Sequence, residues 1–217
     1  MPAITISREI GSLGDAIAEQ TARRLGYALV DKNVIAKIFA QFGFVDFKET
    51  YDASSFWSRF DPHYTEMAAL FNRIIETLVF HGNIILLGRG GFALLKEYAD
   101  ILNVRIQAPF LIRVGRVLEE YDLASQAAAE EFVKDNDRMR RSFVESIYGL
   151  HQWDSVSGFD LVIDTGKIRP ALAVHWLEAE FAQLSQSPHT GKRTTREIQI
   201  DTVLARSVDE ILAAQTV

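Results

Sequence analysis

Gly11, Ser12 and Gly14 stand between a short apolar stretch, "AITIS" at residues 3–7, and a helical pattern that starts at Asp15. A glycine turn leading into a helix lets a phosphate reach the unpaired N–H groups and partial positive charge of the helix N-terminus. Arg8, just ahead of the turn, either adds positive charge to it or is a surface arginine at a strand end. Arg89 follows the most apolar strand candidate, "NIILLG" (83–88), within "LGRGG". A guanidinium at the end of a buried strand is costly without an anionic partner. A bidentate phosphate contact would satisfy it; an ion pair with Asp31 is the competing account. Asp31 ends the strand-like "YALVD" and either orients a substrate or pairs with Lys32 or Arg89. Arg138 and Arg141 in "KDNDRMRRS" share one helical face, and Asp137 lies four residues before Arg141. They are a solvated face or a clamp for negative charge. The five histidines, 63, 81, 151, 175 and 189, show no metal-ligand spacing, so no metal site is expected.

These residues need strands and helices to bring them together. "AITIS", "YALVD", "NIILLG", "NVRIQA" (103–108) and "FDLVID" (159–164) are short and apolar. Helical patterns separate them. Ile17, Thr21 and Leu25 recur every four residues, and "KNVIAKIFAQFG" closes at Gly43. Met67, Leu70, Phe71, Ile74 and Leu78 form an apolar stripe, residues 110–150 are largely helical, and Pro170 suits the first turn of a helix to about Gln186. Strands alternating with helices predict an α/β protein with a five-stranded parallel sheet covered on both faces. Ligands in such sheets sit at the carboxyl ends of the strands, where Gly11–Gly14, Asp31, Arg89 and Asp164 all fall. Residues 44–64, rich in aromatics, are either a substrate flap, a subunit contact or helices on a small core. Residues 187–217 read as a polar linker, then a strand-like "EIQID" and a helix capped by Ser207. So short a tail must dock on its own body, residues 1–186, or on a second subunit, which makes a homodimer one expected arrangement.

Bulk composition narrows the function classes. The 217 residues are 48% hydrophobic and 24% charged, with a net charge of −6 and a pI near 5.4. That is a soluble globular balance with no basic field for nucleic acid. With no cysteine there is no disulfide. No run of about 18 apolar residues predicts a membrane span, and the N-terminus enters a strand pattern without a basic leader. A cytoplasmic protein is the expectation.

The blocks "ITISREIGSLGDAIAEQTARRLGYALVDKNVI", "IILLGRGG", "NVRIQAPFLIRVGRVL", "DNDRMRRSF" and "FDLVIDTGKI", in this order and spacing, resemble the cytidylate kinase-like family of P-loop nucleoside monophosphate kinases. The resemblance covers about residues 3–180. It implies a three-layer P-loop NTPase fold with a helical lid at about 120–150. It implies transfer of the ATP γ-phosphoryl group to a nucleoside monophosphate, CMP or similar, with Mg²⁺. On this likeness Arg8, Gly11, Ser12 and Gly14 would hold the nucleotide cofactor, Asp31 and Arg89 the acceptor, and Arg89, Arg138 and Arg141 would serve catalysis. Phosphoryl transfer rests on positioning and on neutralising spread negative charge.

The loop departs from the nucleotide-kinase pattern G-x-x-x-x-G-K-G-[ST]. Laid on this sequence, its first glycine falls on Arg8, its next-to-lysine glycine on Leu13 and its lysine on Gly14. The phosphate-clamping amine and the Mg²⁺ hydroxyl are missing. Asp15 sharpens the difficulty. A carboxylate about 4 Å from a phosphate, at an effective dielectric near 20, repels by roughly 4 kcal/mol per charge pair. Turned outward, it would merely cap the helix. The alternative function is therefore an inactive nucleotide- or anion-binding protein that acts as a sensor or partner-binding module.

Overall fold

The computed structural model describes residues 3–44, 62–151 and 153–214. Five parallel strands form its centre: β1 (Ala3–Arg8), β2 (Ala28–Val30), β3 (Ile84–Leu87), β4 (Ile101–Gln107) and β5 (Leu161–Asp164). Their order across the sheet is β2-β3-β1-β4-β5. Among the described residues eight α-helices accompany them: α1 (Gly14–Leu25), α2 (Lys32–Gln41), α3 (Pro62–His81), α4 (Gly91–Leu95), α5 (Phe110–Glu120), α6 (Gln126–Tyr148), α7 (Pro170–Gln186) and α8 (Thr202–Ala213). Most of the aromatic segment, residues 45–61, lies outside the described residues.

Strand side chains alternate between two cores, as the pleat requires. Ile85 and Leu87 of β3 join Ile4, Ile6, Val104 and Ile106 beneath α1 and α7. Ile84 and Leu86 face the other way, against α2, α3 and α4. β4 begins at Ile101, two residues earlier than the apolar pattern suggests, because Ala3 and Ile4 of β1 pair with Ile101 and Leu102. A third, smaller core joins Ile10 to Val114 and Val117 of α5 and Ala129 and Val133 of α6. The phosphate-loop candidate is thereby seated on the α5–α6 arm.

The tail differs from expectation in detail. "EIQID" is not a strand: Thr195–Glu197 form a single 3-10 turn, and Ile198 is packed into the α2–α3 core rather than paired with a strand. α8 starts at Thr202, not after Ser207, because the Asp201 carboxylate accepts from the N–H groups of Val203 (2.7 Å) and Leu204 (3.2 Å). Leu204, Val208 and Ile211 enter the same core, and buried Asp100 accepts from the Thr195 N–H (2.9 Å) and hydroxyl (2.6 Å).

One carboxylate links the strand ends to the arm. Glu9 lies 3.0 Å from Arg105 of β4 and 3.3 Å from Arg113 of α5, and accepts from the Ala108 N–H at 3.1 Å. Arg113 in turn lies 2.9 Å from Asp137 of α6. Arg105 is almost fully buried, with Trp153 stacked 4.5 Å from its guanidinium. Burial lowers its pKa, and the charge of Glu9 works against that shift. Removing the negative member of such a cluster leaves buried Arg105 without its acidic partner and Arg113 with Asp137 alone. Glu9→Gln is expected to lower the unfolding free energy by about 3 kcal/mol, seen in urea as a lower midpoint at unchanged slope; an unchanged midpoint would show that the cluster adds nothing.

Candidate functional site

The glycine turn is more tightly embedded than its sequence suggests. Gly11 has φ +70°, and a Cβ there would stand 2.8 Å from the Arg113 carbonyl oxygen and 3.0 Å from Val117. Its glycine is required by the close approach of α5. Ser12 is fully buried, and its hydroxyl donates to the Glu9 carbonyl at 2.8 Å. Arg116 donates to the carbonyls of Gly11 (3.1 Å) and Thr165 (2.8 Å), and the Thr165 hydroxyl donates to the Ser12 carbonyl (2.8 Å). Arg113 and Arg116 therefore brace the loop. Leu13, also left-handed at φ 62°, forms the N-cap of α1 without a side-chain cap bond, a conformation that costs a non-glycine residue on the order of 1 kcal/mol.

The room for a ligand lies beside this turn, at the carboxyl ends of β1 and β3. A cavity of about 210 Å³ is lined by Arg8, Lys32, Arg89 and Arg140, by Ser7 and Asn136, and by Phe92, Met139, Phe143, Val144 and Trp153. Among the described residues no carboxylate lines it. Gly11, Ser12 and Gly14 do not line it, nor does Asp31. The Asp31 carboxylate caps α2, accepting from the N–H groups of Asn33 (2.8 Å) and Val34 (3.0 Å). Its neighbour Lys32 lines the cavity instead.

Arg89 sits in a run of left-handed backbone: φ is 76° at Gly88, 55° at Arg89 and 65° at Gly90. Left-handed arginine is strained, and such strain gathers at functional sites. A Cβ on Gly90 would collide with the Tyr148 ring, whose hydroxyl donates to the Arg89 carbonyl at 3.3 Å. The Arg89 guanidinium lies 5.2 Å from the Phe143 ring centre.

Arg140 supplies the most telling detail. Its Nη1 is buried and meets no hydrogen-bond partner among the described residues. Burial, and then the like charge of Arg8, lower its pKa to about 10, against the pull of Asp15 and Asp137. The sequence points to Arg138 and Arg141, but neither lines the cavity. The Arg138 side chain is 75% exposed and lies 3.0 Å from Asp135; that of Arg141 is 53% exposed and 4.0 Å from Asp154. Asn136, Met139, Arg140, Phe143 and Val144 form the inward face of α6, and their spacing of three and four residues is the signal that selects Arg140. Trp153 is a second residue missed in the sequence; its indole N–H is likewise buried without a hydrogen-bond partner among the described residues.

Asp15 points away from the feared role. Its carboxylate binds Arg8 through Nη2 (2.8 Å) and Nε (3.2 Å). Burial tends to raise its pKa, but the charge and hydrogen bonds of Arg8, helped by Arg140, hold it below the ordinary value. Among the described residues the cations Arg8, Lys32, Arg89 and Arg140 line the cavity and no carboxylate does, although Asp15 and Asp137 act on them from outside it. Such an arrangement suits an anion with several oxygen acceptors, such as a phosphate.

The fit to ATP and Mg²⁺ divides. The cations suit phosphate oxygens. No side chain offers the loop amine, and among the described residues no group of three histidines or acidic residues could hold a metal. Among those residues, no helix is long and apolar enough to cross a membrane.

Comparison with known proteins agrees with this geometry. The cytidylate kinase of Pyrobaculum aerophilum is 27% identical over 172 residues, which cover 77% of this chain and 86% of that protein. The crystal structure of an uncharacterized protein from Eubacterium ventriosum shares the fold, with a TM-score of 0.65 and 18% identity over 84% of this chain and 99% of that one. The sequence profile of the cytidylate kinase-like family matches residues 3–167, from the first residue of β1 to just beyond β5. This chain belongs to the cytidylate kinase-like family.

Proposed function

We propose that this protein is a nucleoside monophosphate kinase that moves the ATP γ-phosphoryl group to CMP or a close relative. The observation that carries the reading is the buried, unpartnered Nη1 of Arg140 in a cavity it shares with Arg8, Lys32 and Arg89. In this transfer an acceptor phosphate oxygen bonds to the γ-phosphorus. The bond from that phosphorus to the β–γ bridging oxygen breaks, and ADP leaves with the electron pair. Arg89, held at the end of β3, grips the acceptor phosphate, and Arg140 on α6 neutralises charge between acceptor and donor. Phe92, Phe143 and Trp153 offer an apolar wall to the nucleoside. Mg²⁺, if bound with ATP, would supply charge neutralisation at the donor phosphates, and among the described residues no acidic or histidine cluster would hold it.

A second reading is favoured by one observation: the loop lacks both the amine and the hydroxyl that most nucleotide kinases use, with Gly14, Asp15 and Ala16 in that stretch. On it, the same cavity binds nucleotide without turnover and reports to a partner. Incubation with ATP, Mg²⁺ and a panel of nucleoside monophosphates separates the two. The kinase reading expects the matching diphosphate, resolved by chromatography. No product with any acceptor, with a melting temperature raised by nucleotide, identifies the binding protein, since a ligand held only by the native state must stabilise it.

Two substitutions assign the roles. Arg140→Ala is expected to lower kcat/KM about 100-fold, the scale of losing one donor to developing charge. Arg89→Ala is expected to act mainly on KM for the monophosphate, about tenfold or more. Unchanged kinetics in a cooperatively melting Arg140→Ala protein would remove Arg140 from the site.

A further inference from the structure

We propose that Arg8 is the donor-phosphate cation of this protein, delivered from the end of β1 across the face of Gly14 into the space that a lysine at position 14 would need. The inference rests on the phosphotransfer reading above and assigns the loop's missing charge.

The argument begins with Gly14. A Cβ there would lie 2.5 Å from Arg8 Cβ, 2.8 Å from Arg8 Cγ and 3.3 Å from Ile106 Cβ. The Cβ is the root of the arginine, fixed by the strand, and cannot swing aside whatever rotamer carries the Cγ. Any side chain at position 14, lysine included, is therefore incompatible with a side chain at position 8. In the kinase loop pattern the glycine falls on position 8 and the lysine on position 14; here the arginine is at 8 and the glycine at 14. Cation and glycine have changed places across the turn.

The far end of the arginine is placed with equal care. The Asp15 carboxylate holds its Nε and Nη2 edge, which leaves Nη1 for the cavity side. Nη1 lies where a Cβ on Gly88 would be, so glycine at the end of β3 makes room for it. Arg8 lines the cavity together with Arg140, and its side chain is 19% exposed. Asp15 is on this account a positioning residue. A carboxylate fork aligns the guanidinium as a single flexible amine could not be aligned.

The test moves the charge back. Tripolyphosphate binding is measured by titration calorimetry, with thermal melting as the control for folding. Arg8→Gln keeps the stem and removes the charge; binding is expected to weaken about tenfold or more. Arg8→Gly is expected to be at least as weak. Arg8→Gly combined with Gly14→Lys clears the stem and supplies the amine from the helix, and is expected to regain most of the lost affinity. Gly14→Lys alone meets the Arg8 stem and is expected to melt lower and bind less well than the parent. Parent-like affinity in Arg8→Gln overturns the proposal, as does a folded double variant that binds no better than Arg8→Gly. Should the double variant fail to melt cooperatively, Arg8→Gln against Arg8→Lys decides: the lysine must retain affinity that glutamine loses. Failure of the kinase reading is separable, because affinity that follows the cation, without turnover on any monophosphate, sinks that reading and leaves Arg8 in place.

Discussion

A half-buried arginine with one buried and unmet donor is the constraint from which the rest of the site follows. Folding can leave Arg140 Nη1 without a partner only if the surroundings hold it there, because a buried charge short of hydrogen bonds is expensive. Two elements do the holding. α6 presents Arg140 on the same face as Phe143 and Val144, whose burial fixes the helix against β3 and α4. The Arg113–Asp137 ion pair, one turn earlier on α6, ties the helix to the loop carrying Glu9. On the proposed reading the energy spent in gathering like charges would be recovered on binding an anion, with the cations already in place to meet it.

Glu9 explains how a loop without the usual lysine keeps its shape. Its carboxylate holds Arg105 and Arg113, and Arg116 and Thr165 hold the carbonyls of Gly11 and Ser12. The turn is therefore braced from beneath by side chains. Its backbone oxygens are occupied, and its cationic contact with the cavity is made through Arg8. The same bracing accounts for Gly11, which serves the packing of α5 and not the approach of a ligand.

The architecture was largely legible in the chain. Alternation of short apolar strands with helices fixed the class, since each strand buried on both faces must be apolar throughout; β3 reads that way in sequence and is buried at all four positions. Arg89 was legible as a residue of interest because a guanidinium after such a strand is costly without an anionic partner, and it lines the cavity. What was not legible depends on distance rather than pattern. Nothing local distinguishes Arg140 from Arg138 and Arg141 until the inward face of α6 is known. The steric exclusion between positions 8 and 14 exists only once β1 and α1 are docked. Asp31 shows the ordinary ambiguity of an acid before a helix: its carboxylate caps α2, and the cavity is lined by its neighbour Lys32.

The most direct test of the central claim is a crystal structure of this protein with CMP bound. The account predicts a phosphate oxygen within hydrogen-bonding distance of Arg140 Nη1, with Arg89 on the same phosphate and the base against Phe143 or Trp153. A phosphate bound elsewhere, with Arg140 Nη1 still unmet, would contradict it.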